Sequence, residues 1–159
     1  MIVHPHLAEE RFRKAILPLL ESPEILEKAG IRFVNYEFPF LIVALDWRTK
    51  DRWIRLHIDA TDFDYRALHG WWVDNCDNPL LAGSALVPSG RGFHANSPHL
   101  PPCGKNRSWF CFQGWQDYHD HSSHQDIAWP VLRGQSRFTP LALIQQLQFD
   151  LNRQGVNAA

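Results

Sequence analysis

Apolar residues recur along this chain with two different periods, and the change between them outlines its architecture. From Leu7 to Leu20 they follow a helix: Phe12, Ile16, Leu19 and Leu20 share one stripe, with Glu9 and Glu10 near the positive end of the dipole. Pro18 falls in the last turn, where it kinks or ends that helix. Ser22-Pro23 supplies an N-cap followed by proline at N1, so a short second helix is expected through Lys28, closed by Gly30. From Ile31 the pattern becomes strand-like. Ile31 to Phe38 is rich in β-branched and aromatic residues, Pro39 interrupts, and Phe40 to Leu45 is a continuous apolar run of buried-strand type. After the polar turn Arg48 to Asp51, Ile54, Leu56 and Ile58 alternate with polar partners, the mark of a strand buried on one face. His57 lies on the polar face and reads as solvated. Trp71-Trp72-Val73 is a further strand.

Periodicity then fades. Asn75 to Pro102 is rich in Gly, Pro, Ser and Asn and reads as a long irregular loop, of a length that in compact domains is usually functional or mobile. The last element is well signalled: Thr139 as N-cap, Pro140 at N1, then Leu141, Ile144, Leu147 and Leu151 on one stripe, with Gly155 beyond. The expectation is therefore a single α+β domain over residues 1–159. It comprises an N-terminal helical region (1–30), an antiparallel four-stranded meander (31–74), a flap with an active segment (75–137) and a C-terminal helix (138–154).

Composition narrows the function classes. With 45% hydrophobic and 21% charged residues over 159 positions, the chain can bury a real core, and no apolar run reaches membrane-spanning length. A net charge of −1 implies no basic face for nucleic acid. Three cysteines are too few and too odd a number for a disulfide framework, which points to a reducing cytoplasm. Met1 to His6 carries no basic region or apolar core, so no signal peptide is expected.

Candidate chemistry concentrates between Trp109 and His124, where Cys111 stands near His119, His121 and His124, with Asp117 and Asp120 between. An extended backbone puts Asp117, His119 and His121 on one face. Two chemistries need such a set. Cys111 as nucleophile works as a thiolate, with an imidazole lowering its pKa and a carboxylate orienting the ring. Alternatively Cys111, Asp117, His119 and His121 form a mixed shell suited to Zn²⁺. A third reading is a histidine-rich loop beside a buried structural cysteine. Tyr118 is either a hydrogen-bonding or a packing residue, and His124 supports the others from behind. Cys103, after Pro101-Pro102, reads as an exposed loop thiol. Trp71, Trp72 and Trp129 read as core or as a hydrophobic lid.

The order helix, meander, flap, cysteine, helix resembles the ubiquitin-conjugating (E2-like, UBC-like) fold. The segment Phe110 to His124 resembles a bacterial family named for a Cys-Glu-His-His constellation, a predicted metal-binding domain associated with prokaryotic ubiquitin-like gene clusters. The resemblance covers about Ile31 to Leu151, with Cys111 to His124 its specific part. Cys111 takes the cysteine place, His119 and His121 the histidine places, and Asp117 stands where the family has glutamate, one methylene shorter. Ubiquitin-conjugating enzymes also carry His-Pro-Asn before the cysteine. His94-Ala95-Asn96 is the nearest copy, with alanine for proline and a longer gap, and His99 is a rival for the histidine place. The resemblance implies a carrier that takes a ubiquitin-like protein as a thioester on Cys111 from an E1-like activating enzyme and passes it on, needing no cofactor. Asn96 would be auxiliary to that role. A zinc-binding protein and a non-catalytic module that binds ubiquitin-like proteins are the alternatives.

Overall fold

The computed structural model describes residues 2–97, 106–121, 124 and 127–159. Cys103 and His99 lie outside the described residues. The chain is α+β, with a four-stranded antiparallel sheet and six helices among the described residues.

Three short helices open it: α1 (Pro5–Ala15), α2 (Leu17–Glu21) and α3 (Pro23–Lys28). Pro18 falls in the first turn of α2, where its missing N–H costs nothing, so the expected single helix divides at Ile16. Ala8, Phe12, Ile16 and Leu19 are buried beneath them. The meander follows in chain order: β1 (Ile31–Glu37), β2 (Phe40–Trp47), β3 (Arg52–Asp59) and β4 (His69–Val73).

Register explains both hydrophobic patterns. Across β2 and β3, Leu41 faces Ile58, Val43 faces Leu56 and Leu45 faces Ile54, while β3 places Leu56 opposite Trp72. These side chains form one inner face and are all buried. The outer face is built from Ile42, His57 and Trp71 in one row and Phe40, Asp59 and His69 in the next. It is partly covered: Ile42 is buried and His57 stacks on Trp71 with ring centroids 4.5 Å apart, while Phe40 stays exposed. His57 is therefore part of an aromatic layer rather than a solvated side chain. A strand run buried on both faces loses its alternation, as the continuous apolar stretch of β2 shows.

The flap is more ordered than its composition suggests. Leu80 N–H donates to the Trp72 carbonyl and Ser108 N–H to the Leu80 carbonyl, so residues 79–81 and then 107–108 extend the sheet beyond β4. Two small ladders pin the rest. β5 (Pro88–Ser89) pairs with the C-terminal β8 (Asn157–Ala158), and β6 (Phe93–His94) pairs with β7 (Trp109–Phe110). Short α4 (Gln116–Asp120) and α5 (Trp129–Leu132) precede the long α6 (Pro140–Leu151), whose Leu143, Ile144, Leu147 and Leu151 pack into the core.

Candidate functional site

Cys111 is positioned by the inner-face aromatic core. Phe110 and Trp109 of β7 face Phe93 and His94 of β6, and Cys111 N–H continues the ladder to the Gly92 carbonyl at 2.8 Å. Phe110 packs on Trp72 and Trp115, which anchors β7 to the sheet. The chain then reverses at Gly114, whose φ of +96° is a left-handed conformation. A Cβ there would lie 2.5 Å from Leu143 Cδ2 and 2.9 Å from Phe138 Cδ1, so the turn is pressed directly onto α6. Gly114→Ala is accordingly expected to destabilise the protein by about 1–3 kcal/mol in chemical denaturation. A neutral result would mean the turn can lift off α6.

Beyond the turn the backbone is helical, not extended. α4 starts at Gln116, whose N–H donates to the Leu68 carbonyl at 2.8 Å. Residues two apart on a helix point in nearly opposite directions, so Asp117 and His119 cannot share a face as alternation requires. The expected convergence of Asp117, His119 and His121 is thereby corrected. The three side chains have separate partners.

Asp117 is 2% exposed and turns toward the outer layer. Its Oδ1 lies 2.8 Å from His69 Nε2, and its Oδ2 accepts from Arg107 Nη2 at 3.5 Å. Arg107, also 2% exposed, places the same Nη2 2.7 Å from His69 Nε2 and its guanidinium 5.4 Å from the Trp71 ring. His69 Nε2 can accept from Arg107 or donate to Asp117, but one nitrogen cannot do both. Asp117 is thus the counter-ion of a buried arginine. Neither His69 nor Arg107 carries a motif. Their sequence distances from Asp117, 48 and 10 residues, hide the cluster from a linear reading.

His119 sits half-buried against the turn, where its Nε2 accepts the Gly114 N–H at 3.2 Å. Burial holds its pKa below the ordinary histidine value, outweighing the Ile127 carbonyl and Asp120, which pull the other way. The ring is therefore neutral near pH 7 and serves the turn. His121 lies in a run of aromatic rings: His94 stacks on Trp109 at 4.2 Å, Trp109 on His121 at 5.9 Å, and His121 approaches His124 at 5.3 Å. Tyr118 closes the run by stacking on His124 at 4.2 Å, nearly parallel. Tyr118 thus packs on an imidazole.

The partner of Cys111 is His124, with Sγ 3.2 Å from Nδ1. Asn96 is exposed on the flap. The electrostatics of the thiol run opposite to the sequence expectation. Burial, and then the negative charge of Asp117, push the Cys111 pKa up to about 11. At neutral pH the sulfur carries its proton, with His124 Nδ1 within hydrogen-bond distance of it. The contact is therefore not a preformed thiolate–imidazolium pair. Iodoacetamide alkylation of Cys111, followed on its labelled peptide, should accelerate about tenfold per pH unit up to about pH 10, because only the thiolate reacts. Half-titration near pH 11 is the expected midpoint. Half-titration below pH 8 would sink this account.

As a zinc shell the expected donors fit poorly. Asp117 is engaged by Arg107 and His69, and His119 Nε2 by Gly114. Among the described residues no three Cys, His, Asp or Glu side chains gather in a way that could hold a metal ion. Comparison with protein-family models and with curated proteins finds no match to this chain.

Proposed function

We propose that this protein is an E2-like carrier of UBC-like fold, holding a ubiquitin-like protein as a thioester on Cys111. The observation that supports it most is the Cys111–His124 contact at 3.2 Å, held where the chain leaves β7 for the Gly114 turn. The element order agrees with the reading: N-terminal helices, an antiparallel meander, a flap, the cysteine and a C-terminal helix.

The exchange balances without any oxidant. His124 Nδ1 takes the Cys111 proton as sulfur attacks the thioester carbonyl presented by the activating enzyme. The carbonyl carbon gains a bond to Cys111 Sγ and loses its bond to the activating enzyme's sulfur, which leaves with the electron pair and collects a proton. In the second half, once the activating enzyme's sulfur has taken the first proton from His124, an acceptor amine attacks and gives up a proton to His124, the bond to Cys111 breaks, and His124 passes that proton to sulfur. A thiol of high pKa is a slow leaving group, so the loaded thioester waits for its acceptor rather than discharging to water.

The test is a charging reaction. Protein is incubated with ATP, an activating enzyme and a ubiquitin-like protein encoded beside such systems, and a non-reducing gel is read for an adduct that thiols remove. Loading that persists in reductant, or none with any such pair, would overturn the reading.

A further inference from the structure

α1, α5 and the start of α6 line an open cavity of about 630 Å³, a volume typical of small-ligand sites. Its rim carries Arg11, Lys14 and Arg133, against the single carboxylate of Asp64. That excess of cations stands out in a chain with 16 basic and 17 acidic residues. Arg11 spends its charge on Asp64 at 3.3 Å, in a half-exposed pair of the kind that contributes little and exchanges easily. Lys14 and Arg133 make no ion pair among the described residues. The floor is apolar and firm: Phe63, Trp129 and Phe138 are 7%, 5% and 6% exposed. Trp129 Nε1 donates to the Asp64 carbonyl at 2.8 Å, tying α5 to the opposite wall. The cavity is therefore preformed.

α6 adds to the same field. Its N-cap Thr139 makes no capping bond to the helix and gives its hydroxyl to the Ser136 carbonyl at 3.2 Å. Thr139 and Pro140 both line the cavity, so the 12-residue helix begins beside the three cations and its dipole adds positive potential there, although Pro140 itself has no N–H to offer.

We infer that this cavity binds a phosphate-bearing ligand of more than one negative charge. One carboxylate would be satisfied by one guanidinium fork. Two arginines, a lysine and a helix N-terminus disposed around one floor suit a compact group with several oxygens and at least two charges. The site is independent of the thioester reading and uses none of its residues.

The test is calorimetric titration of the whole protein with inorganic pyrophosphate, with citrate as the carboxylate arm. Saturable binding of pyrophosphate is expected. The double variant Lys14→Ala/Arg133→Ala should weaken it at least tenfold, with its melting temperature checked to show that it folds. Arg32→Ala serves as control, since Arg32 lies on Trp53 and pairs with Glu27 outside the cavity, and should leave binding unchanged. No saturable heat with the native protein, or equal affinity in the double variant, would overturn the site. Tighter binding of citrate would overturn the phosphate assignment.

Discussion

Cys111→Ser is expected to lose the thiol-reducible adduct completely in the charging reaction, while Cys76→Ser and Cys103→Ser keep it. A serine hydroxyl is a far weaker nucleophile, and His124 alone does not ionise it. Cys76 sits exposed at a turn capped by Asp74, whose Oδ1 accepts the Cys76 N–H at 2.8 Å, with no imidazole at its sulfur among the described residues. Removing His124 should slow loading on the order of 10²-fold at pH 7, the usual loss for a proton-transfer group. Raising the pH toward 10 should recover much of that loss, because hydroxide then makes the thiolate that the imidazole no longer makes. His119→Ala should behave differently. It removes the acceptor of the Gly114 N–H, so it should cost stability more than it costs the chemistry. A Cys111→Ser protein that still forms the reducible adduct would place the active site elsewhere, and so would a Cys103→Ser protein that loses it.

Asp117→Ala should produce the largest loss of stability among single substitutions near the site. It leaves the Arg107 guanidinium, 2% exposed, without its carboxylate, and Arg107 Nη1 already has no hydrogen-bond partner among the described residues. Stranding a buried charge costs about 3–5 kcal/mol, and for a domain of this size that lowers the melting temperature on the order of 10 °C. The double change Asp117→Leu/Arg107→Met should regain most of the loss, since a buried pair replaced by apolar groups is often neutral. The same position has a second readout. Asp117 is one of the two causes of the raised Cys111 pKa, so Asp117→Asn should move the alkylation midpoint below that of the native protein. If Asp117→Ala melts within about 1 °C of the native protein, the buried-pair account fails.

The two roles of Asp117 show where linear reading stopped. The segment from Gln116 to Asp120 is five residues long, too short for a period of 3.6 to be told from a period of 2. Alternation then placed the carboxylate beside His119 and His121. In the fold, Gln116 N–H is captured by the Leu68 carbonyl and α4 turns Asp117 inward. His69 and Arg107 gave no signal because each is an ordinary residue until the sheet edge brings it to Asp117. His124 was noted, but with the role of supporting other histidines. What promoted it was the turn at Gly114, which directs the chain back past the sulfur.

Sequence alone determined the elements whose signals are local. The meander from Ile31 to Val73 follows from a run of apolar and β-branched residues broken by Pro39 and the polar turn Arg48 to Asp51. The starts of α3 and α6 follow from Pro23 and Pro140, since a proline acts within one turn of chain; neither Ser22 nor Thr139 makes the expected side-chain capping bond. The gathering of imidazoles near Cys111 was likewise legible, because His124 stands only 13 residues on. Tertiary structure decided which groups meet and in what protonation state. Burial and a neighbouring charge set the Cys111 pKa, and both depend on distances across the fold that no spacing along the chain encodes.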